Sequence, residues 1–195
     1  MKRVSFLAAA LATSFAAFAA PESYTLDSTH TVPYFSIQHF GMSTVQGHFE
    51  RSSGKVTLDR AAKTGSIEVK IPTGTVSTGD GKRADGQRSR DEHLRAADFF
   101  NSAEFPDMVF KSTKLNFNGD KVESIEGNLT LLGVTKPLKL TATHFNCGPN
   151  PFTKKEMCGA DLVGSLKRTD FGMKYAVPAV GDEVKLTIAV EGYKD

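Results

Sequence analysis

The chain has 195 residues, of which 24% are charged and 39% hydrophobic, a size and balance that suit a single domain with a real core. Its 24 basic residues nearly match its 22 acidic residues, so the formal net charge is only +2. This balance argues against a nucleic-acid partner, because phosphate binding needs a basic excess on some face.

The first residues have the pattern of a secretory signal peptide. Lys2 and Arg3 form a short basic region, residues 4–17 are nearly all apolar or small, and an A-x-A cleavage motif ends at Ala19. The apolar run is too short and too rich in alanine for a membrane span of about 20 residues. The pattern therefore predicts export, without a stable membrane anchor.

We accordingly predict a signal peptide over residues 1–19 and a single domain over residues 20–195, located in the periplasm or secreted. Cleavage would remove Lys2 and Arg3, which lowers the basic count from 24 to 22 against 22 acidic residues. The exported chain would then carry no formal net charge.

From Tyr24 onward, apolar and polar residues alternate with the period of β-strands. This alternation predicts which side chains share the inner face of each strand: Phe35, Ile37 and His39; Val45, Gly47 and Phe49; Ile67, Val69 and Ile71; Met108, Phe110 and Ser112; Ile125, Gly127, Leu129 and Leu131; Leu138, Leu140, Ala142 and His144; Leu162, Gly164 and Leu166; Val184, Leu186, Ile188 and Val190.

About eight such strands, polar on one face and apolar on the other, can close into an antiparallel up-and-down barrel that holds one small ligand. A two-sheet sandwich is the competing architecture, and periodicity alone does not separate the two. The inward glycines Gly47, Gly127 and Gly164 favour the barrel, because a strand glycine often marks a bend or a close approach by a ligand.

One segment breaks the β pattern: residues 89–100 predict a short inserted helix. Ser89 and Glu92 have the spacing of a capping box, in which each side chain binds the backbone N–H of the other residue. We expect the helix to close on Phe99 and Phe100. Together with Leu94, this pair would form part of the wall or lid of a cavity.

The same segment contains three adjacent polar residues, Asp91, Glu92 and His93, which suggest a metal or acid–base site. Adjacent helical positions point about 100° apart, so these side chains do not converge on one ion. Helix capping and solvation explain them better. We predict no metal site.

Cys147 and Cys158 are the only cysteines. In an exported protein an even pair is most simply a disulfide, here clamping a turn-rich loop across two neighbouring strands. The alternative, a redox or metal pair, has no support from a C-x-x-C spacing.

Two polar residues lie on the predicted inner face. His39 fits a neutral, hydrogen-bonded core histidine, with contact to a ligand head group as the alternative. Arg168 shares the parity of Leu166 and would need a partner if buried; Asp170 or Asp98 could supply a structural ion pair. Recognition of a polar head group is the alternative role for Arg168.

Taken in order and spacing, several short motifs resemble the YceI-like family over nearly the whole exported chain. These motifs are Asp27-Ser28-Thr29-His30, Gln38-His39-Phe40-Gly41, Gly47-His48-Phe49, Arg90-Asp91-Glu92-His93-Leu94 with Asp98-Phe99, Phe105-Pro106 before Phe110, the run from Gly127 to Pro137, and Arg168-Thr169-Asp170-Phe171-Gly172.

The resemblance implies a lipocalin-like, eight-stranded antiparallel β-barrel, usually periplasmic, that binds an isoprenoid, quinone-like or fatty-acyl chain and is not an enzyme. The cysteine pair is not part of the family pattern. The residues expected to contact such a ligand are Phe35, Ile37, His39, Phe49, Leu94, Phe99, Phe100, Phe110, Leu129, Leu131, Arg168 and Phe171.

Two other functions remain open at this stage. An enzyme acting on a hydrophobic substrate would need His39, Arg168 and Asp170 to converge within hydrogen-bond reach. A haem or electron-transfer accessory would use a histidine ligand, although we predict no cofactor. Each apolar residue above could also simply fill a core, and the sequence leaves the ligand's chain length, its head group and the oligomeric state open.

Overall fold

The structure is a computed structural model that describes residues 20–195; the predicted signal peptide lies outside the described residues. The described chain forms one α-helix, α1 (Arg90–Arg95), and these strands: β1 (Glu22–Leu26), β2 (Val32–His39), β3 (Ser43–Phe49), β4 (Ser53–Asp59), β5 (Thr64–Pro72), β6 (Val76–Ser77), β7 (Asp107–Asn118), β8 (Lys121–Leu131), β9 (Val134–Pro149), β10 (Glu156–Lys167) and β11 (Val180–Lys194). Two short 3-10 turns, Thr73–Thr75 and Arg168–Phe171, complete it.

The strands close into an eight-stranded antiparallel barrel, and this architecture confirms the predicted fold class. At three of the eight places around the ring, two consecutive strands together take the place of one barrel strand. These pairs are β1 with β2, β3 with β4, and β5 with β6. Strands β7, β8, β9, β10 and β11 pair in succession. Strand β11 closes the ring by pairing with both β1 and β2. A continuous ring of pairings rules out the two-sheet sandwich.

The break between β1 and β2 comes from a short polar turn. Asp27 accepts hydrogen bonds from the backbone N–H and the hydroxyl of Thr29, which bends the chain away from β11. Thr31 is buried, and its hydroxyl donates to the Glu191 carbonyl and accepts from the Glu191 N–H. The Thr31 hydroxyl thus makes hydrogen bonds to Glu191 of β11 that a neighbouring strand would otherwise make.

The predicted inner faces hold over most of the barrel, and one of them is wrong. A bulge between β9 and β10 places Ala142 opposite Leu162 but His144 opposite Asp161, so Thr143 is an extra residue. The extra residue reverses the parity of β9. His144 therefore lies exposed on the outer face, and Phe145 takes the inward position.

Two inward glycines make room for aromatic rings. A Cβ at Gly47 would collide with the Phe35 ring directly across the β2–β3 pair, and one at Gly127 would collide with the Phe110 ring. Larger residues at these positions would push the rings out of place. The close approach predicted from the glycines is therefore made by neighbouring side chains of the barrel itself.

Helix α1 begins as predicted and ends earlier. The capping box between Ser89 and Glu92 is present with both reciprocal hydrogen bonds. The helix stops at Arg95 because Ala96 is extended, and the Phe100 N–H turns back to the Leu94 carbonyl.

Asp91 is also not solvated, contrary to expectation. Only 1% of it is exposed, and its carboxylate accepts the backbone N–H and the hydroxyl of Thr78. This contact fastens α1 to the end of β6.

The disulfide between Cys147 and Cys158 is confirmed. The two residues lie directly opposite each other in the register of β9 and β10, with a Cα–Cα distance of 4.0 Å. The bond therefore clamps the hairpin loop between these strands, as the sequence predicts.

Candidate functional site

A cavity of about 510 Å³ runs along the interior of the barrel. Its walls consist almost wholly of aliphatic and aromatic side chains from the inner faces of the strands. The volume is within the range of about 300–1,000 Å³ usual for small-molecule sites. The inner side chains thus surround a space and do not fill the barrel completely.

The two ends of the cavity differ. The mouth end carries the β2–β3 turn, α1 and the loop over residues 172–180, and its lining residues Phe40 and Tyr175 are 57% and 49% exposed. The closed end carries both ends of the described chain and the disulfide, and its lining residues Tyr24 and Leu26 are buried. The cavity therefore opens at the mouth end.

A polar network lies across the closed end. The Tyr24 hydroxyl donates to the Glu22 carboxylate at 2.8 Å, and Lys194 and Arg60 contact the same carboxylate at 2.7 and 3.2 Å. The hydrogen bond from Lys194, followed by that from Tyr24, lowers the pKa of Glu22 to about 2. Burial, together with the bond to Glu22, raises the pKa of Tyr24 to about 12.

The helical insert forms part of the wall at the mouth. Leu94, Phe99 and Phe100 all line the cavity. The Phe100 ring meets the edge of the inward-facing Phe49 ring, with centroids 5.3 Å apart. Although Phe99 and Phe100 are not helical, the turn that follows α1 places them against the barrel interior.

Most of the residues expected to contact a ligand line this cavity, and one does not. The lining includes Phe35, Ile37, His39, Phe49, Leu94, Phe99, Phe100, Phe110, Leu129, Leu131 and Arg168. Phe171 lies outside the cavity lining; it is 3% exposed and packs within the core cluster. The 3-10 turn that contains it directs its ring into packed protein.

Arg168 is only 2% exposed and has neither of its predicted partners. Its guanidinium donates to the carbonyls of Gly181, Val180 and Met173 at 2.7, 3.0 and 3.2 Å. Burial lowers the pKa of this group, and the charge of Asp182 opposes that shift. The predicted ion pair with Asp170 or Asp98 is therefore wrong, because backbone carbonyls surround the cation instead.

The three residues of the enzyme hypothesis do not form a cluster. His39 lines the cavity, Arg168 is engaged by backbone carbonyls, and Asp170 is exposed and does not line the cavity. The other predicted partner, Asp98, accepts a hydrogen bond from His93 at 2.9 Å. His39, Arg168 and Asp170 are therefore not brought within hydrogen-bond reach of one another as that hypothesis requires, whereas His93, the partner of Asp98, does line the cavity.

Sequence reasoning missed several residues at the mouth. Tyr175 packs its ring against His93 and Phe99, with centroids 5.1 and 5.4 Å away, and Arg90 and Thr78 also line the opening. These residues lie in loops or on α1, where no period-2 pattern identifies a facing side. The one signal in the sequence is that a tyrosine, Tyr175, follows shortly after the Arg168 motif.

Within residues 20–195, no group of three or more histidine, cysteine or acidic side chains could hold a metal ion. None of the helices in this part of the chain is both long and apolar enough to span a membrane.

The fold and the site define a closed antiparallel β-barrel with an apolar interior cavity open at one end. The model of the YceI-like domain matches residues 24–192. Protein YceI of Salmonella arizonae is 36% identical over 187 residues, which cover 95% of this chain and 93% of that protein; Protein YceI of Salmonella dublin gives the same values. The chain belongs to the YceI-like family.

Solved structures agree with this assignment. The YCEI protein of Campylobacter jejuni is 28% identical with a TM-score of 0.63, covering 82% of this chain and 90% of that one. BcnA of Burkholderia cenocepacia (20% identical, TM-score 0.66, 85% and 98% covered) shares the fold. So does a polyisoprenoid binding domain from Saccharophagus degradans (14% identical, TM-score 0.62, 89% and 99% covered).

Proposed function

We propose that this protein binds a long apolar chain of the isoprenoid, quinone-like or fatty-acyl class inside its barrel and acts as an exported carrier, store or sequestering protein. The observation that supports this proposal is the apolar cavity, which extends from the exposed mouth to the buried closed end. Isoprenoids are the first class to examine, since the Saccharophagus degradans domain of the same fold is a polyisoprenoid binding domain.

The physical basis is desolvation of the ligand. Each methylene moved from water into such an interior gains roughly 0.8 kcal/mol, part of which is offset by the ordering of the chain. His39 and Tyr175 line the half of the cavity nearest the mouth, so polar groups are available there for the end of the ligand. We therefore expect the tail to lie deep in the barrel and the head group to lie at the mouth.

The deciding experiment is extraction of the purified protein with organic solvent, followed by mass spectrometry. We expect a stoichiometric long-chain lipid that is absent from an unrelated exported protein purified in the same way. Empty extracts, together with no saturable binding of a long-chain isoprenol, quinone or fatty acid, would refute the proposal. An absorption spectrum of the same sample tests the haem alternative through its Soret band.

Export is tested separately. Full-length protein expressed in a Gram-negative host should appear in the periplasmic fraction with Ala20 as its first residue. Cytoplasmic protein that retains Lys2 and Arg3 would contradict the predicted signal peptide without affecting the proposal on ligand binding.

A further inference from the structure

A histidine whose ring proton has a fixed position lies at the mouth of the cavity. His93, on α1, lines the opening, and its Nε2 lies 2.9 Å from a carboxylate oxygen of Asp98. A carboxylate accepts hydrogen bonds and does not donate them, so Nε2 carries the ring proton. In the neutral ring the other nitrogen, Nδ1, is then an acceptor. Nδ1 makes no hydrogen bond to any of residues 20–195, which leaves it for a ligand.

The His93 ring is also held in one orientation by its neighbours. The Phe99 and Tyr175 rings meet it in edge contacts, with centroids 4.9 and 5.1 Å away. Both of these residues line the cavity as well. Because packing and the bond to Asp98 already fix the ring, little rotamer freedom remains to be lost when a ligand binds.

The other histidine of the cavity lining differs in this respect. The His39 ring packs on Phe40, with centroids 3.8 Å apart, and no hydrogen bond joins this ring to another group of residues 20–195. The proton of His39 can therefore lie on either ring nitrogen, and the ring can serve a donor or an acceptor. Of the two histidines, His93 alone imposes one direction on a hydrogen bond with a ligand.

An anionic head group finds little support at this place. Arg90 lines the opening, but its Nε and Nη2 donate to the hydroxyl and the carbonyl of Thr78 at 2.7 and 2.9 Å. The guanidinium of Arg168 donates to backbone carbonyls. A carboxylate or phosphate would therefore meet the acceptor of His93 and the like charge of Asp98, while both arginines of the lining are engaged by the protein.

We propose that Nδ1 of His93 accepts a hydrogen bond from a hydroxyl of the ligand's head group, so that the site selects a long-chain alcohol, phenol or quinol over the matching ether, quinone or carboxylate. Asp98 is the positioning residue, because it holds the ring proton on Nε2. An ether or a quinone has no proton to donate and leaves the acceptor without a partner. This assignment rests on the proposed function, since it places the tail in the barrel and the head group at the mouth.

The first test compares geranylgeraniol with its methyl ether, which has the same tail and no O–H. Isothermal titration calorimetry of the purified protein at about pH 8, where a free imidazole is neutral, measures both dissociation constants. We expect the alcohol to bind about tenfold more tightly, because only the alcohol gives Nδ1 a donor. Geranylgeranic acid should bind more weakly than the alcohol as well.

The variant His93→Phe keeps an aromatic ring beside Phe99 and Tyr175 and removes the acceptor, so the alcohol and the ether should bind equally. His48→Phe is the matched control. His48 also packs on a tyrosine, Tyr34, but it lies on the outer face of β3 and does not line the cavity. This variant should keep the tenfold preference of the parent protein, and circular dichroism verifies that both variants fold.

The role of Asp98 is tested with Asp98→Asn, which replaces the carboxylate by an amide that can donate to Nε2 as well as accept from it. The ring proton can then move to Nδ1, so the preference for the alcohol should fall to about threefold or less. Nitrogen NMR shifts of the histidine ring supply a readout that a loss of packing would not move. We expect the Nε2–H tautomer in the parent protein and a mixture of tautomers in the variant.

The assignment is overturned by equal binding of the alcohol and the ether to the parent protein, by tighter binding of the acid, or by an Nδ1–H tautomer in the parent spectrum. An equal loss of preference in His93→Phe and His48→Phe, or no loss in either, overturns it too. If the alcohol, the ether and the acid all bind with equal strength, head-group selection fails and the proposed function stands. If none of them binds and solvent extracts are empty, both fail.

Discussion

At the residue scale, Arg168 stabilises the loop that forms half of the mouth. Its three hydrogen bonds to the carbonyls of Met173, Val180 and Gly181 join both ends of that loop to the 3-10 turn after β10. Burial of this cation is costly, as its lowered pKa indicates, and the three hydrogen bonds to carbonyls offset part of that cost. Its removal would take the donor from the carbonyl of buried Met173 and from those of half-buried Val180 and Gly181.

We therefore predict that Arg168→Met lowers the free energy of unfolding by about 2–4 kcal/mol. Lys167→Met is the control, since Lys167 is exposed and should change stability by less than about 0.5 kcal/mol. Urea titrations followed by fluorescence or circular dichroism measure both values. Equal stability of the two variants would show that the carbonyl contacts contribute nothing.

A second prediction at this scale concerns Gly47 and the Phe35 ring that lies over it. Gly47→Ala forces the ring to move and should cost about 1–3 kcal/mol of stability. In a background of Phe35→Leu the same substitution should cost less, so a double-mutant cycle should give a coupling of about 1 kcal/mol. Gly74→Ala is the control, because no atom lies near the added methyl group there. A coupling near zero would contradict the steric explanation.

At the element scale, the ring closes where β1 meets β11 and β4, and Glu22 joins these elements. Its carboxylate contacts Lys194 on β11 and Arg60 just after β4. The folded-state pKa of Glu22 is about 2 against an ordinary value of 4.5, so the unfolded chain binds more protons between these values. Stability from this group is therefore fully present above about pH 4.5 and is lost as the pH falls towards 2.

We predict that Glu22→Gln reduces the slope of stability against pH between about pH 5 and pH 2. The loss at neutral pH should be about 1–2 kcal/mol, because partial exposure of the carboxylate screens its interactions. Urea titrations at several pH values measure the slope. Glu123→Gln, on the exposed face of β8, is the control, and an unchanged slope in Glu22→Gln would contradict the prediction.

The inner faces of the strands were largely predictable, because burial on one side imposes a period of two on the sequence. The outward direction of His144 was not predictable. The bulge at Thr143 arises from the pairing of β9 with β10, and nothing in the alternation of residues within β9 indicates it. The start of α1 was equally readable from Ser89 and Glu92. Its end was not, because Phe99 and Phe100 are placed by contacts to Tyr175 and Phe49 that are distant in sequence.

The candidate site shows the same division. Lining residues on strands follow from alternation, whereas Tyr175 and Arg90 lie in segments without a repeating pattern. The partners of Arg168 were inaccessible to sequence reasoning for a chemical reason. Every residue has a carbonyl, so the sequence contains no mark of the three that turn towards the guanidinium.

At the scale of the whole molecule, the cavity has one open end and one closed end, so its depth limits the length of the chain it holds. Ala160 lines the cavity on β10, close to the disulfide at the closed end. A phenylalanine there would fill the deepest part and leave the mouth unchanged. The shortened cavity should then exclude the end of a long tail, because an apolar tail left in water loses roughly 0.8 kcal/mol per methylene.

We predict that Ala160→Phe shifts the extracted lipids towards shorter chains and weakens binding of the longest chain about tenfold or more, which corresponds to two methylenes left in water. Ala189→Phe is the matched control, because Ala189 lies on the neighbouring strand β11 and faces a groove on the outer surface. Mass spectrometry of solvent extracts from both variants and the parent protein measures the distribution. An identical distribution in all three would mean that the tail does not reach the closed end, and that the ligand occupies only the half of the barrel nearest the mouth.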